Sequence, residues 1–408
     1  MKIRLPKITV VIPTRDRADV LCWTLKSVLS QSYERLEVLV CDNCSTDGTK
    51  DLVSSYNDPR LKYKRTVTRL GMSQNWELAL DAVEDDGWLT VLGDDDGLIP
   101  GCLEKVGKLI LDTGARAIRS RTCSYSWPQL RGTTSGRLHI PLTSGFEWRS
   151  SDEWLNRVVV TGESYENLPV LYNGGFVEVA VIREIKRKTG AFYRSMNPDI
   201  YMGIAVASVI DQYLYVYSPL AINGASRHSG GTSNFSGNRK ILGSPAEKFH
   251  NEPNLPFHPS LLKSPSDLPI VSIPYLVFEA YLQSEILRVK VPQRHNSLEG
   301  QLVLIAAAGG PDIREIDDWV KFFSEKAGIS FRKVKVMALI VQVKRKLYRY
   351  IPGLILRVRT VSIGEASYPI LNIYEASFAA GAILDLSPPW YSNVLRLGKR
   401  FVRIYTAN

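Results

Sequence analysis

The chain has 408 residues, of which 45% are hydrophobic and 23% are charged, as in folded soluble proteins. This length allows a large hydrophobic core and two structural units. The formal net charge of +10 indicates an anionic partner. Nucleic acid, an acidic membrane surface and a phosphorylated substrate would each meet that requirement.

The cysteines and the N-terminus bear on the cellular compartment. Five cysteines lie in the first third of the chain, and an odd number so placed argues against a disulfide framework. Cys41 and Cys44 form a lone CxxC without a second pair, so we interpret them as ordinary thiols. The N-terminal apolar run is too short for a signal peptide, and no window reaches about 18 apolar residues. We therefore expect a cytoplasmic protein that does not span a membrane.

Strands and helices alternate over the first hundred residues. Apolar runs at residues 8–12 and 36–41 predict buried strands, and residues 18–32 between them have apolar positions at helical spacing. A weaker strand at residues 61–67 and a helix near Ser73 follow, and Ser45, Thr46 and Asp47 offer helix caps. This alternation predicts an α/β fold with a parallel sheet and a ligand crevice at its carboxyl edge.

The segment GWLTVLGDDDGLIP at residues 87–100 ends an apolar run at three carboxylates. The run predicts a strand buried on both faces, so Asp94, Asp95 and Asp96 should emerge together at its carboxyl end. Adjacent carboxylates repel one another unless a cation lies among them, and oxygen ligands suit Mg²⁺ or Mn²⁺ better than zinc. We expect a divalent metal here; a solvated acidic loop is the alternative.

The rest of the chain predicts three regions. Residues 1–244 form the α/β domain, and residues 245–274 contain seven prolines that mark a linker or a wrapping segment. Residues 275–408 form a mainly helical C-terminal region. Its candidate partners are the membrane and the acceptor.

Residues 331–351 predict a basic amphipathic helix that Pro352 stops or kinks. Its apolar face consists of Val336, Ile340, Val343, Leu347 and Ile351. Its other face carries Lys335, Gln342, Arg345 and Arg349. Such a helix can lie on an anionic membrane, and the alternative is a helix packed on its own domain.

Four motifs stand in order along the N-terminal part: ITVVIPTRDR, LEVLVCDNCSTDGT, RLGMSQNWELAL and VLGDDDGLIPG. Together they resemble the N-terminal half of family 2 glycosyltransferases with the GT-A fold. The resemblance is specific over about residues 8–111, looser to about residue 236 and absent beyond. It implies a Rossmann-like, mostly parallel sheet flanked by helices, and an inverting transfer from a nucleotide sugar with Mn²⁺ or Mg²⁺.

The resemblance also assigns a nucleotide-sugar site. By it, Pro13, Thr14 and Asp16 surround the base and ribose, although the family more often has an aromatic residue and an Asn at positions 15 and 16. Arg69 and Asn75 match a segment that closes over the nucleotide. Asp94 lies near the ribose, with Asp95 on the metal and Asp96 as a supporting ligand; an Asp94 and Asp96 pairing also fits a DxD reading.

Asp42 follows the second predicted strand. A carboxylate there can accept a hydrogen bond from the imide N–H of uracil or thymine, or from N1–H of guanine. Cytosine and adenine have no such ring N–H. The position therefore favours UDP-, dTDP- or GDP-sugars.

An inverting transferase needs a carboxylate base that takes the proton of the acceptor hydroxyl. Asp199, in MNPDIYMG, occupies the place where the family's base usually lies; Glu178, Glu184 and Asp211 compete with it, and a helix N-cap is the alternative role. His228, in NGASRHSGG, is a candidate metal ligand in a loop that can fold over the diphosphate, or a structural histidine.

We therefore expect a metal-dependent inverting glycosyltransferase at the inner face of the plasma membrane. It would extend a lipid-linked or polysaccharide glycan at the cell surface. A sugar-phosphate nucleotidyltransferase is an alternative, but it would need a Gly-rich phosphate loop that PTRDRAD does not contain. A nucleic-acid-binding protein is suggested only by the charge, without a recognised binding motif, so nucleic acid is not an expected partner.

Overall fold

The computed structural model describes residues 5–128, 134–229, 245–252, 255–261, 272–288, 297–308, 313–358, 360–364 and 369–386. The described strands are β1 (Ile8–Thr14), β2 (Leu36–Asp42), β3 (Leu61–Arg65), β4 (Trp88–Val91), β5 (Gly97–Leu98), β6 (Ala117–Ser126), β7 (Arg137–Pro141), β8 (Phe146–Ser150), β9 (Gly175–Glu178), β10 (Gln212–Ala225) and β11 (Thr360–Ile363).

The described α-helices are α1 (Ala18–Leu29), α2 (Thr49–Ser54), α3 (Met72–Asp81), α4 (Cys102–Thr113), α5 (Ser151–Asn156), α6 (Val179–Thr189), α7 (Pro198–Ala207), α8 (Pro245–His250), α9 (Ile273–Gln283), α10 (Leu298–Ala307), α11 (Ile313–Lys326), α12 (Phe331–Val358) and α13 (Ile373–Leu386). A π-helical turn (Arg157–Thr161) and a 3₁₀ turn (Tyr165–Asn167) follow α5.

The strands form one mixed sheet in the order β11-β7-β6-β9-β4-β1-β2-β3, to which β5, β8 and β10 also pair. The four strands β4, β1, β2 and β3 are parallel, as the alternation of strands and helices predicts. All residues of β1, β2 and β4 are buried because helices cover both faces. The predicted α/β class is therefore confirmed.

Antiparallel pairs enter the sheet beyond β4. Strand β9 is antiparallel to both β4 and β6, and β7 is antiparallel to β6. Long β10 runs parallel to β6, with a bulge between Val216 and Ala221. Antiparallel neighbours need only short connections, which is why this half has no regular βα alternation.

Helix α4 shows how glycines set the limits of an element. Gly101 precedes it with φ +74°, and Gly114 ends it with φ +63°. Both values lie in the left-handed region that favours glycine. The sequence predicts both ends of this helix.

Described residues beyond 244 pack on the α/β domain. Glu252, in the proline-containing segment, binds Arg15 after β1, and its other carboxylate oxygen accepts from the backbone N of Met72. Helix α9 packs on α7, and residues of α9 to α12 share a hydrophobic cluster with α7. Described parts of residues 245–274 thus contact the α/β domain.

The C-terminal region also contributes a strand and a helix to the sheet domain. Strand β11 pairs antiparallel with β7, and α13 packs on α1 and β10. A four-residue strand is too short for a clear alternation, so the sequence predicted a mainly helical region without this strand.

Helix α12 continues through Pro352 to Val358, so the predicted stop at that proline is wrong. Val334 and Ala338 of α12 are buried. The predicted apolar face points outward: Val336, Ile340, Val343 and Leu347 are all exposed. The side chains of Arg349 and Ile351 lie outside the described residues. Of the helices in the described ranges, none combines the length and the apolar character that a membrane span requires.

Candidate active site

The carboxyl ends of β1, β2 and β4 bring the predicted polar residues to one edge of the sheet. Thr14 lies opposite Asp42 at the last register position of β1 and β2, and Pro13 lies opposite Cys41. The triplet follows β4, which is parallel to β1. The strand pattern alone predicts this convergence.

Asp94 is buried and both its carboxylate oxygens accept hydrogen bonds. Thr14 Oγ1 donates to Oδ2 at 2.8 Å, and Arg17 Nη1 donates to Oδ1 at 2.8 Å. Burial raises the pKa of Asp94 although Arg17 acts in the opposite direction. Burial acts to lower the pKa of Arg17, but Asp94 and Asp95 outweigh it and raise that pKa. Asp94 is thus held in an ion pair, with lone pairs left for a ligand.

Asp96 is fully buried and fixes the backbone around it. Its Oδ1 accepts from Gly224 N at 2.6 Å, and its Oδ2 accepts from Gly93 N at 3.0 Å and from Tyr172 Oη at 2.7 Å. Burial, assisted by the nearby charge of Asp95, raises the pKa of Asp96 to about 8. Because three protein donors occupy its oxygens at 0% exposure, Asp96 is unsuited to be a metal ligand, which corrects the sequence prediction.

Asp95 differs from its neighbours because only one of its oxygens is used. Its Oδ2 accepts from Ser226 N at 3.2 Å, Ser226 Oγ at 2.6 Å and Ser229 Oγ at 2.7 Å. Its Oδ1 has no donor among the described residues. One free carboxylate oxygen fits Mg²⁺ or Mn²⁺, which usually take one or two carboxylates together with substrate phosphates and water.

His228 lies in the same loop as Ser226 and Ser229, but its ring contacts Asp19. Its Nε2 lies 3.0 Å from Oδ2 of Asp19, and its carbonyl accepts from Arg17 Nη2 at 2.7 Å. Within the described ranges no three His, Cys, Asp or Glu side chains are grouped closely enough to hold a metal. The predicted set of Asp95, Asp96 and His228 is therefore not assembled, since Asp19 engages the His228 ring.

Asp42 lies at the end of β2 with its carboxylate buried. Ser45 N donates to Oδ1 at 2.9 Å, Tyr63 Oη donates to Oδ2 at 2.5 Å, and Arg65 Nε lies 3.6 Å from Oδ2. Burial and the bond to Asp42 raise the pKa of Tyr63, so its hydroxyl stays a donor. The carboxylate is thus held as an acceptor in a fixed orientation at the end of β2.

Asp16 and Arg69, both predicted to lie around the nucleotide, form an ion pair. Asp16 has φ +52°, and Thr46 N donates to its Oδ1 at 2.7 Å. Burial raises the pKa of Asp16, but the bond from Thr46 and the charge of Arg69 outweigh it and lower that pKa. Thr46 therefore joins two loops and does not cap α2, which Gly48 precedes without a side-chain cap.

Asn75 is buried in the first turn of α3, beside these loops. The hydroxyl of Ser73, in the same turn, donates to the carbonyl of Ser195 at 2.7 Å. Helix α3 is thereby tied to the segment that leads into α7.

Asp199 is the second residue of α7, after Pro198. Tyr165 Oη donates to its Oδ2 at 2.9 Å. The N-cap is Asn197, so the alternative that Asp199 caps the helix is wrong. Burial raises the pKa of Asp199, and the bond from Tyr165 only partly offsets this effect. A carboxylate with a raised pKa can take a proton from a substrate hydroxyl.

An aromatic cluster lies between Asp199 and the triplet. Trp76 stacks on Tyr172 with ring centroids 5.7 Å apart, and Tyr193 meets Trp76 edge-on at 5.7 Å. Tyr172 also donates a hydrogen bond to Asp96. Burial and the charge of Asp96 raise the pKa of Tyr172, and the charge of Asp199 contributes to a smaller extent. The aromatic faces suit the apolar face of a sugar ring.

The competing carboxylates lie away from this cluster. Glu178 is opposite Trp88 at the amino end of β4 and pairs with Arg116. Glu184 pairs with Lys188 on the surface of α6. Asp211 precedes β10, whose opposite end contributes Gly224 to the triplet. Of the four candidates for the base, Asp199 is the one near the triplet.

Several site residues were missed by sequence reasoning. They are Arg17, Tyr165, Tyr172, Ser226 and Ser229. Arg17 is the second arginine of PTRDR, so its proximity to the loop after β1 was a usable signal. Ser226 and Ser229 lie in NGASRHSGG, the loop predicted to fold over the diphosphate. Tyr165 and Tyr172 lie 34 and 76 residues from their partners, and nothing local in the sequence links them.

Residues 9–149 match the model described as Glycosyl transferase family 2. The GalNAc(5)-diNAcBac-PP-undecaprenol beta-1,3-glucosyltransferase of Campylobacter jejuni is 34% identical over 102 residues, which are 24% of this chain and 33% of that relative. The UDP-Glc:alpha-D-GlcNAc-diphosphoundecaprenol beta-1,3-glucosyltransferase WfaP of Escherichia coli is 33% identical over 54 residues, 13% of this chain and 22% of that relative. This chain thus spans a third or less of the length of either relative.

Among solved structures, TarS 1-349 of S. aureus in complex with UDP-GlcNAc aligns with a TM-score of 0.45 and 16% identity. The alignment covers 79% of this chain and 92% of that one. The four ordered motifs, the parallel strands that carry them and the match over residues 9–149 agree with one another. By that agreement residues 9–149 match glycosyl transferase family 2, a family of enzymes that transfer sugars.

Proposed function

We propose that this chain is an inverting, metal-dependent glycosyltransferase that moves a sugar from a UDP-, dTDP- or GDP-sugar to a hydroxyl of a glycan or lipid-linked acceptor. The observation that carries the proposal is that Asp95, which keeps one free oxygen, and Asp199 lie on opposite sides of one aromatic cluster. Both relatives are named for acceptors linked to undecaprenol through a diphosphate. A role in cell-surface polysaccharide biosynthesis accords with those names.

In this proposal the nucleotide lies over the ends of β1 and β2. Asp42 accepts the ring N–H of the base, and Pro13, Thr14 and Asp16 surround the base and ribose, with Asp94 also near the ribose. Arg69 leaves Asp16 for a phosphate oxygen, because an exposed ion pair is weak and a diphosphate offers more charge. Asn75 lies on the helix next to that segment.

Asp95 would hold Mg²⁺ or Mn²⁺ through Oδ1, while Ser226 and Ser229 fix the orientation of its other oxygen. When bound, such an ion supplies neutralisation of the charge that develops on the departing diphosphate. Arg17 compensates Asp94 next to it, so the triplet does not carry three uncompensated charges.

Asp199 acts as the base in the transfer step. The acceptor oxygen bonds to the anomeric carbon as the bond from that carbon to the diphosphate breaks, and the electron pair leaves with the nucleoside diphosphate. The hydroxyl proton passes to the carboxylate of Asp199, and the sugar configuration inverts. Tyr165 holds this carboxylate in place through its hydrogen bond. The raised pKa makes Asp199 a stronger base than an exposed aspartate.

We also propose that the chain works at an anionic membrane surface, through α12. Its outward apolar side chains include Val336, Leu339, Val343 and Leu347, which are 58%, 59%, 56% and 65% exposed. Exposed Arg332, Lys344 and Lys346 flank them. An apolar stripe with basic neighbours suits a bilayer of anionic lipid, where lipid-linked acceptors reside.

The two other hypotheses have less support. No Gly-rich phosphate loop follows β1, as a nucleotidyltransferase would need. The positive charge that suggested nucleic acid is partly concentrated on α12, beside apolar side chains.

The deciding experiment is a thermal-shift panel of UDP, dTDP, GDP, CDP and ADP, each with and without Mn²⁺, on the parent and on Asp42→Ala. A ligand that binds only the folded state raises the melting temperature. We expect stabilisation by one of the first three nucleotides, enhanced by Mn²⁺ and weakened in Asp42→Ala. Preference for CDP or ADP would contradict the role of Asp42, and stabilisation by none of the five would contradict the proposed function.

A further inference from the structure

A cavity of about 290 Å³ lies beside β6, on the side of the 3₁₀ turn that carries Tyr165. Residues from β6, β10 and this turn line it, among them Arg119, Arg121, Ser164, Asn167 and Tyr215. None of these residues was assigned a role above. The cavity is large enough for a phosphate group or a sugar unit.

Arg121 is a partly buried cation without a counter-ion. The bulge of β10 between Val216 and Ala221 lies next to Arg121, so β10 skips it in the pairing with β6. Its guanidinium lies 5.4 Å from the ring of Tyr217, and within the described ranges it has no ion pair or hydrogen bond. A partly desolvated guanidinium with five unused donors is suited to bind an oxyanion.

Three further polar side chains of the lining, those of Arg119, Ser164 and Asn167, are also donors. Arg119 is 5% exposed and donates to three backbone carbonyls, without a carboxylate partner in the part of the chain that is described. Ser164 Oγ accepts from Glu166 N, which leaves its own hydrogen free to donate. The amide oxygen of Asn167 accepts from Arg149, so its NH₂ group is left for a ligand.

The charges of the lining favour an anion. Arg119 and Arg121 are cations, and Glu166 is the one carboxylate among the lining residues. Glu166 is exposed, so its carboxylate can turn to water when an anion enters. The lining therefore has a positive balance of charge.

Position connects the cavity to the acceptor. Glu166 and Asn167 follow Tyr165 directly, and Tyr165 holds Asp199. We infer that this cavity binds an oxyanion, a phosphate or a sugar carboxylate, carried by the acceptor glycan close to the hydroxyl that reacts. The inference rests on the proposed function, because it uses Asp199 to define the acceptor side.

The test is ligand-detected NMR on the full chain with inorganic phosphate, D-glucuronate and neutral D-glucose as separate probes. Saturating UDP with Mg²⁺ is present to fill the nucleotide site. The variants are Arg121→Gln, Arg121→Lys and a control, Arg187→Gln, which removes an exposed arginine of α6 outside the cavity. Because the guanidinium of Arg121 makes no hydrogen bond to the described residues, its substitution should leave the melting temperature near that of the parent.

We expect phosphate or glucuronate to bind the parent and Arg187→Gln equally, and Arg121→Gln at least about ten-fold more weakly. Arg121→Lys should fall between them, because it keeps the charge but not the planar fork. The stronger anion identifies the source as a phosphate or a sugar acid. Equal anion binding by Arg121→Gln and the parent, or binding of glucose as tight as that of glucuronate, would overturn the inference. So would the absence of anion binding while UDP binds. If UDP does not bind, dTDP or GDP takes its place, and failure of all three would instead count against the proposed function.

Discussion

The hydroxyl of Tyr165 donates a 2.9 Å hydrogen bond to Oδ2 of Asp199. Tyr165 comes from a 3₁₀ turn and Asp199 from the first turn of α7, so the bond fixes a carboxylate between two separate elements. Burial raises the pKa of Tyr165 well above its usual value, and the charge of Asp199 adds to this effect. The phenol therefore remains a donor at neutral pH.

Asp199→Asn should separate catalysis from donor binding. Asparagine keeps the size of the side chain but cannot accept the proton, so turnover should fall by about 10²–10⁴-fold while donor affinity stays within a few-fold. Nucleoside diphosphate release with acceptor present, together with calorimetry of donor binding, measures both. Near-parental turnover would remove Asp199 as the base. A large loss of donor affinity would move Asp199 into the nucleotide site.

The pH dependence of turnover should report the raised pKa of Asp199. The base must be ionised, so activity should rise with pH through a pKa above the ordinary aspartate value of 3.8. In Tyr165→Phe the carboxylate loses a hydrogen bond that favours its charged form, so this acidic limb should move to higher pH. Profiles of kcat for parent and variant test this shift. An unchanged limb would mean that another group controls it.

Asp95→Asn and Asp96→Asn should fail in different ways. In Asp95→Asn the amide oxygen still accepts from Ser226 and Ser229, so the fold should persist while Mn²⁺ ceases to strengthen donor binding. In Asp96→Asn an amide N–H faces backbone N–H groups, which should lower the free energy of unfolding by about 1–3 kcal/mol.

Calorimetry of UDP with and without Mn²⁺, and denaturant unfolding, separate the two variants. Metal-enhanced binding that survives in Asp95→Asn would show that the metal ligand lies elsewhere.

Glu279 should make the protein less stable as the pH rises. It is buried in α9 and accepts from Ser195 Oγ and from the backbone N of His258. Burial raises its pKa from 4.5 to about 7, so the folded state binds more protons than the unfolded state between these values. The free energy of unfolding should therefore decrease by roughly 3 kcal/mol as the pH rises from about 4.5 to above 7.

Glu279→Gln should remove this decrease, because its amide can both accept from His258 and donate to Ser195. Unfolding curves at several pH values, with Glu325→Gln on the surface of α11 as the control, give the difference directly. A parent and a Glu279→Gln variant with parallel pH profiles would contradict the expectation.

Helix α12 should bind anionic vesicles through its outward face. We expect the parent to sediment with vesicles that contain phosphatidylglycerol, less so at high salt, because each basic residue near such a surface contributes ~1 kcal/mol. The double variant Val343→Ser and Leu347→Ser should sediment less. A control with Leu111→Ser and Ile286→Ser, which removes exposed apolar side chains elsewhere, should behave like the parent. Equal sedimentation with neutral and anionic vesicles would contradict the electrostatic contribution.

The sequence predicts what depends on short-range periodicity. The runs that become β1, β2 and β4 end at Thr14, Asp42 and the triplet, and parallel pairing brings these ends together. It cannot predict which oxygen of the triplet stays free, because Tyr172 and Ser226 are 76 and 131 residues away from the aspartates that they bind. Hence the sequence could group the three aspartates but not divide their roles.

Helix α12 illustrates the same limit on a helix. Its periodicity reveals an apolar stripe, but the stripe itself does not tell on which side the neighbouring helices lie. The inward side uses the smaller Val334 and Ala338, which allow close packing on α10. The larger apolar side chains were therefore free to face outward.

The guanidinium of Arg119 binds the carbonyls of Glu166, Tyr172 and Asn173 at 2.8 to 2.9 Å. One of these carbonyls adjoins the tyrosine that holds Asp199, and another belongs to the tyrosine that holds Asp96. The two tyrosines consequently share a single anchor, so a displacement of one is transmitted to the other. A change of acceptor specificity that shifted the Tyr165 turn would therefore also disturb the donor side. A substitution of Arg121 in the cavity lining would avoid this effect, because its guanidinium makes no hydrogen bond to either tyrosine segment.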